Sequence, residues 1–298
     1  MFEEMRTFVR IAEMESITQA ARSLGISLTM ASRHLRWLER ELGTALVRRT
    51  TRHLHLTDAG REFAARARAL VAGVDEARQA LRPGPKSLVG RVVIAAPNAL
   101  GTCQLSSVLS TFSKAHPNLR VEFRLEDRAV DLVKEGVDLA IRTAAPPDRT
   151  SLVAREVAKF HCVVCAAPGF LARYGPIDTL EALAAAPCII HGRGPATWKF
   201  ETSEGPRAIK VDGPLCTNSG IIIRDQLLAG TGIAWLPNYV IHADLRDGRL
   251  VRLLPEAKLP PVSVFGVMPK QARQNATVRA VFDFLSAALR ATAAEFTD

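Results

Sequence analysis

Apolar residues in the first sixty positions recur at helical spacing in three short blocks. Met5, Phe8, Val9 and Ala12 mark one face of a first helix. Ser16 and Thr18 offer caps for a second, where Ala20, Ala21 and Leu24 give a close-packing face and Gly25 supplies a tight turn. Ser27 caps a third helix, predicted to reach Leu42 and stop at Gly43. Its buried stripe is Ala31, Leu35, Leu38 and Leu42, while Thr29, Ser32, Arg33, Arg36 and Arg40 fall on another face. The period then drops to two: Leu54 and Leu56 alternate with His53 and His55, as in a short hairpin strand with Arg48, Arg49 and Arg52 at its base and tip.

From Thr57 the helical period returns and lasts longer. Phe63, Ala67, Leu70, Val74, Ala77 and Leu81 repeat at alternating intervals of four and three, the spacing of a coiled-coil seam, so self-association through this helix is expected. Pro83-Gly84-Pro85 ends it as a hinge. Beyond Arg91, apolar runs alternate with helical patterns, an α/β arrangement. Strands are predicted at 92–96, 121–125, 139–142, 162–166, 233–236 and 262–268, and helices at 100–115, 127–135, 221–229 and 277–291. Two stretches, 132–141 and 227–236, share a helix–glycine–strand design, which suggests two similar subdomains facing across a cleft.

A short helix, a glycine turn and a second helix with a hydroxyl- and guanidinium-bearing face fit the major groove of DNA, where hydroxyls and arginines read base edges and further arginines hold phosphates. Charge agrees. The 298-residue chain carries a net +9, and residues 1–90 hold 15 Lys/Arg against 10 Asp/Glu. The 48% hydrophobic content excludes a disordered chain, and no apolar run approaches the roughly 18 residues that span a bilayer. Met1 to Arg10 lacks the apolar stretch of a signal peptide, so a cytoplasmic location is expected. Five scattered cysteines provide neither a disulfide framework nor zinc-finger spacing, and Cys162-Val163-Val164-Cys165 reads as a strand.

The runs A-A-R-S-L-G-I-S, A-S-R-H-L-R-W-L-E-R-E-L-G and R-R-T-T-R-H-L-H-L-T-D-A-G between Ser16 and Gly60 closely resemble LysR-type transcriptional regulators. The resemblance implies a winged helix-turn-helix. It also implies DNA contact by Thr18, Ser27, Thr29, Ser32, Arg33 and Arg36, and by the wing arginines Arg48, Arg49 and Arg52. Leu28 and Thr29 depart from the family's usual Gln followed by Pro or Ser, and Trp37 stands at a normally polar position.

G-R-V-V-I-A-A-P, D-L-V-K-E-G-V-D-L-A-I-R, the N-S-G of 218–220, A-G-T-G-I-A-W-L-P and G-R-L-V-R-L-L-P resemble the family's effector-binding domain, especially in its CrgA-like branch. The implied organisation is a DNA-binding domain at 1–60, a linker helix and hinge at 61–88, and a periplasmic-binding-protein-like effector domain at 89–298. Subdomain I would comprise about 89–163 and 267–298, and subdomain II about 164–266. The implied effector site comprises Pro97, Asn98, Gly101 and Thr102 at the first strand-to-helix junction, Arg142 and Thr143 after the third strand, and Asn218 and Ser219 across the cleft. Helix-start N–H groups beside an arginine suit a carboxylate or other anion; simple capping accounts for Asn98 and Asn218 equally well.

Double-stranded promoter DNA, a small-molecule effector, a second copy of the chain (a dimer, with tetramers implied) and RNA polymerase are the partners expected; a membrane, a metal and a cofactor are not. Two rival classes draw on parts of the sequence. A transport binding protein would share the C-terminal fold but not the N-terminal module. An enzyme using Cys103 or Cys216 would need a base and an orienting group, and no Cys/His/Asp motif supplies them.

Overall fold

A computed structural model describes residues 1–49, 54–80, 88–145 and 151–295. Its N-terminal part has three helices, α1 (Phe2–Met14), α2 (Ile17–Leu24) and α3 (Leu28–Leu42). They start and stop where local chemistry dictates. The Ser16 hydroxyl accepts the Gln19 N–H at 3.3 Å, and the Ser27 hydroxyl accepts that of Met30 at 3.1 Å, each cap worth about 1 kcal/mol. Gly25 and Gly43 close α2 and α3 in the left-handed conformation. Phe8, Ile11, Ala31, Leu35 and Leu38 form the centre of the module. Thr7 and His34 join α1 to α3 through a 2.8 Å hydrogen bond between the hydroxyl and Nδ1.

The hairpin forms as expected, β1 (Val47–Arg49) antiparallel to β2 (Leu54–Leu56). Glu39 of α3 anchors its base, accepting the N–H groups of Leu46 at 2.9 Å and Val47 at 3.2 Å. Thr57 then caps α4 (Asp58–Ala80), accepting the Gly60 N–H at 2.9 Å. The start of the heptad stripe packs within the chain. Phe63 lies against Phe8, ring centres 5.7 Å apart, and Ala67 is buried with Ala64 and Val71 in the module's own core. Helix α1 lies across the first turns of α4, so the stripe is consumed within the chain there. Leu70 and Val74 remain exposed. Leu81 lies outside the described residues, as does the Ala77 side chain.

The C-terminal part contains two groups of strands. The first is a five-stranded sheet in the order β4-β3-β5-β14-β6. It comprises β3 (Gly90–Ala96), β4 (Leu119–Leu125), β5 (Leu139–Arg142), β6 (Leu152–Phe160) and β14 (Val262–Pro269). The pairing is mixed: β3 is parallel to β4 and β5, whereas β14 returns antiparallel between β5 and β6. Helices α6 (Ser106–Ala115) and α11 (Ala276–Glu295) pack with this sheet through Phe112, Val281, Phe282 and Leu285.

The second group includes β7 (Cys162–Ala166), β8 (Ile189–His191), the hairpin β9 (Ala196–Thr202) and β10 (Gly205–Val211), and β11 (Leu215–Thr217), with β12 (Ala234–Pro237) and β13 (Val251–Arg252) on either side of β7. Helices α7 (Pro168–Tyr174), α8 (Leu180–Ala185), α9 (Gly220–Leu228) and α10 (Asn238–Arg246) complete it. Because all of Val262–Pro269 pairs in the first sheet, the return to subdomain I begins at Val262 rather than 267; the first crossing falls between Phe160 and Cys162.

Two helix expectations change. The segment predicted at 100–115 starts earlier, as α5 (Asn98–Leu100), and passes through a π-helical turn at Gly101–Leu105 into α6. The segment 127–135 is not a helix; it carries a turn at 132–136. Asp131 accepts the Lys134 N–H at 3.3 Å and Glu135 accepts the Asp131 N–H at 3.1 Å, which caps a single turn that left-handed Gly136 closes at once. The paired design survives at its pivots, since Gly136 and Gly230 are both left-handed and precede β5 and β12. Among the described residues, no helix is long and apolar enough to cross a membrane.

Candidate functional site

Helix α3 turns an exposed face outward from the winged module. Thr29, Arg33 and Arg36 are exposed, Ser32 is half-buried, and Thr18 is exposed on α2. The Ser27 hydroxyl is committed to capping. Arg36 Nε donates back to the Ser32 carbonyl at 3.3 Å, which leaves its terminal nitrogens directed away from that bond. Arg48 is exposed on β1, opposite His55 in the hairpin. Arg52 and the Arg49 side chain lie outside the described residues. Among the described residues, Arg33, Arg36 and Arg48 form no ion pair with a carboxylate, so the face is a cationic surface flanking a hydroxyl-bearing helix tip.

A cavity of about 520 Å³ opens between the two strand groups. It sits at the carboxyl ends of β3, β4 and β5 on one side and of β8, β11 and β12 on the other, the usual place for a ligand in open α/β sheets. Of the expected effector residues, Pro97, Arg142, Thr143 and Asn218 line it. Asn98, Gly101, Thr102 and Ser219 do not. Gly101 is buried against β4, where a Cβ would come 2.2 Å from the Leu125 side chain, so its role is close packing. Thr102 donates to Asn98 Oδ1 at 3.3 Å, and Ser219 caps α9 by accepting the Ile222 N–H at 3.4 Å.

Sequence reasoning missed Glu126, Asp127, His191, Trp235 and Tyr239, all of which line the cavity. The acidic pair follows β4 directly, as Arg142 follows β5, and that placement at a strand end was the available signal. These carboxylates alter the site's electrostatics. Asp127 accepts the Asn98 N–H at 3.0 Å, so the helix start expected to receive an anion already holds one of the protein's own. Arg142 donates to the carbonyls of Arg128 at 2.8 Å and Val130 at 3.4 Å. Burial pulls its basicity below that of an ordinary arginine, with Glu126 opposing the change. Burial likewise raises the Tyr239 phenol.

The far wall is braced by an ion pair. Arg224 of α9 donates to Asp244 of α10 at 2.9 Å, Arg249 approaches the same carboxylate at 2.7 Å, and the Asp244 side chain is fully buried. The thiols offer no nucleophile in the cavity. Cys162, Cys165 and Cys188 are pushed up to about 12 by burial, and Cys103 is raised for the same reason. Cys162 and Cys165, three apart on β7, point to opposite faces and do not converge on one metal.

Residues 2–61 match the family model described as "Bacterial regulatory helix-turn-helix protein, lysR family", and residues 85–290 match "LysR substrate binding domain". The chain belongs to the LysR family of transcriptional regulators. Among its LysR-family relatives, the transcriptional regulator DmlR of Escherichia coli is 33% identical over 293 residues, covering 96% of this chain and 93% of that protein. PtxR of Pseudomonas aeruginosa is 34% identical over 280 residues, covering 93% and 89%. In three dimensions the chain is similar to CrgA of Neisseria meningitidis, with a TM-score of 0.63, 26% identity, and coverage of 96% and 98%. These relatives are named as regulators rather than enzymes. As a LysR-family regulator the chain binds DNA through its helix-turn-helix and an effector through its C-terminal domain, so the α3 face and the 520 Å³ cavity are the two surfaces on which that function falls.

Proposed function

We propose that the chain acts in the cytoplasm as a homodimer, assembling further to a tetramer, that reads a dyad-symmetric promoter site and regulates transcription there through RNA polymerase in response to a small molecule held in the cavity. The observation that carries this reading is the cavity: residues from both strand groups wall it, in the same chain as the exposed α3 face. A ligand that binds the closed arrangement of two walls more tightly than the open one shifts the balance between them. The exposed Leu70 and Val74 on α4 support pairing with a second copy, since a lone winged module covers only a half-site.

The lining supports a revised ligand class. Three carboxylates (Glu126, Asp127 and Asp131) face one guanidinium that is already tied to backbone carbonyls, and Trp235, Tyr239 and Val130 supply apolar surface. A largely apolar molecule with hydrogen-bond-donating groups suits this wall better than a small dianion.

A thermal-shift screen of full-length protein, followed by footprinting on the region upstream of its own reading frame, tests the proposal. The expected result is a compound that raises the melting temperature and changes the footprint. Footprints identical with and without every stabilising compound would overturn it. Stabilisation by small dicarboxylates alone would overturn the ligand class.

A further inference from the structure

The first turn of α3 presents a surface that neither the fold nor the cationic face explains. Leu28, Thr29 and Met30 follow the capping Ser27 as three consecutive exposed residues, with Leu28 51% and Met30 37% exposed. Neither Leu28 nor Met30 joins the core of the winged module, and the buried residues of α3 begin with Ala31. Beyond the exposed Thr29 hydroxyl, the turn is poor in recognition chemistry. The Ser27 hydroxyl is occupied by the Met30 N–H, and the Leu28 and Met30 side chains carry no hydrogen-bond donor. Exposed Arg33 and Arg36 follow on the next turn, so the apolar tip lies at the leading end of a cationic helix.

A helix docked in the major groove meets bases with its N-terminal residues. The thymine C5-methyl is the apolar group on base edges there. A glutamine at position 28 would select adenine through N6 and N7; leucine can make neither bond and discriminates only by contact area.

We infer that Leu28, with Met30 beside it, reads thymine methyl groups, and that each half-site of this regulator carries thymine where these side chains land. The inference rests on the DNA-binding role of α3 and adds the base chemistry. One methyl group taken out of water at roughly 0.8 kcal/mol corresponds to about a fourfold change in affinity.

The test uses full-length protein. A preferred duplex is first enriched from a random pool, and each dT in it is then replaced singly by dU, which removes only the methyl group. Wild type is expected to bind about fourfold more weakly at one or two positions per half-site. Leu28→Ala should bind dT and dU duplexes equally at a position where wild type discriminates, whereas Arg36→Ala should retain the discrimination. Leu28→Gln should enrich adenine there. Because Leu28 is exposed, an unchanged melting temperature separates loss of reading from loss of fold. Enrichment of a duplex with no dU-sensitive position would overturn the inference alone. So would a Leu28→Ala protein that weakens on every duplex while keeping the wild-type dT/dU ratio, the mark of a contact to backbone or to a partner helix. Failure to enrich any duplex would instead overturn the DNA reading on which the inference stands.

Discussion

The DNA-facing helix and the effector cavity are built in opposite ways. On α3 the residues that face outward belong to one helix, and the side chains beneath them, Ala31, Leu35 and Leu38, carry the fold. In the cavity, Pro97, Asp127, Arg142, Asn218 and Trp235 come from separate elements, and several of them also fix the backbone around them. Recognition and stability are therefore separable on the helix and entangled in the cavity. Substitutions can show whether that separation holds.

The largest effects should come from groups that brace each region. Asp244→Ala removes the buried carboxylate that Arg224 and Arg249 share and should cost about 2–3 kcal/mol, read from chemical denaturation of the effector domain. Its counterpart in the winged module is Gly60→Ala. A Cβ there would fall 2.0 Å from the Leu46 carbonyl oxygen, which should cost about 1–3 kcal/mol and loosen the wing. If Gly60→Ala melts like wild type, the wing is not held as described.

The separation itself is tested next. Arg33→Ala and Arg36→Ala should each weaken DNA binding by about 1–3 kcal/mol with no change in melting temperature, measured by anisotropy titration alongside differential scanning fluorimetry. A loss of thermal stability would show that the face is not independent of the core. In the cavity, Thr143→Trp should fill the mouth while DNA binding persists. The stabilisation that a ligand gives at a hundredfold excess over its Kd, about 2.7 kcal/mol, should then vanish.

Smaller effects are expected on α4 and at the junction between the regions. Leu70→Lys should shift sedimentation toward monomer with little change in melting temperature, whereas Ala67→Glu should lower the melting temperature of the winged module because that side chain is 1% exposed in its own core. Equal outcomes for the two would contradict the division of the helix into an inner and an outer stripe. Glu13 of α1 meets Arg91 of β3 at 3.1 Å and lies 3.6 Å from Arg68 of α4, which makes it a contact between the two regions. Glu13→Gln should cost about 1–2 kcal/mol, since Glu13 is 10% exposed and its charge is shared by Arg68 and Arg91.

Legibility followed the range of the interactions. Ser16, Ser27, Gly25 and Gly43 act on groups within a few residues, so the helices of the winged module and their ends could be read directly. The apolar runs of β3, β5 and β7 were equally plain because their burial makes them continuous. The hairpin β9–β10 and the long β6 escaped notice, since exposed positions interrupt their apolar pattern. The helix expected at 127–135 is cut to one capped turn, because Gly136 closes it in the left-handed conformation just before β5.

The sequence by itself determined the winged module, its cationic reading face and the α/β character of the rest, because capping, periodicity and charge are local properties of the chain. Tertiary structure decided the remainder. Ala67 entered the winged module's core and half-buried Phe63 packed on Phe8 because α1 crosses α4. Asp127 took the Asn98 N–H, and Arg142 turned to the carbonyls of Arg128 and Val130. A carboxylate's neighbour at an adjoining strand end is set by pairing between distant segments, and spacing along the chain carries no record of it.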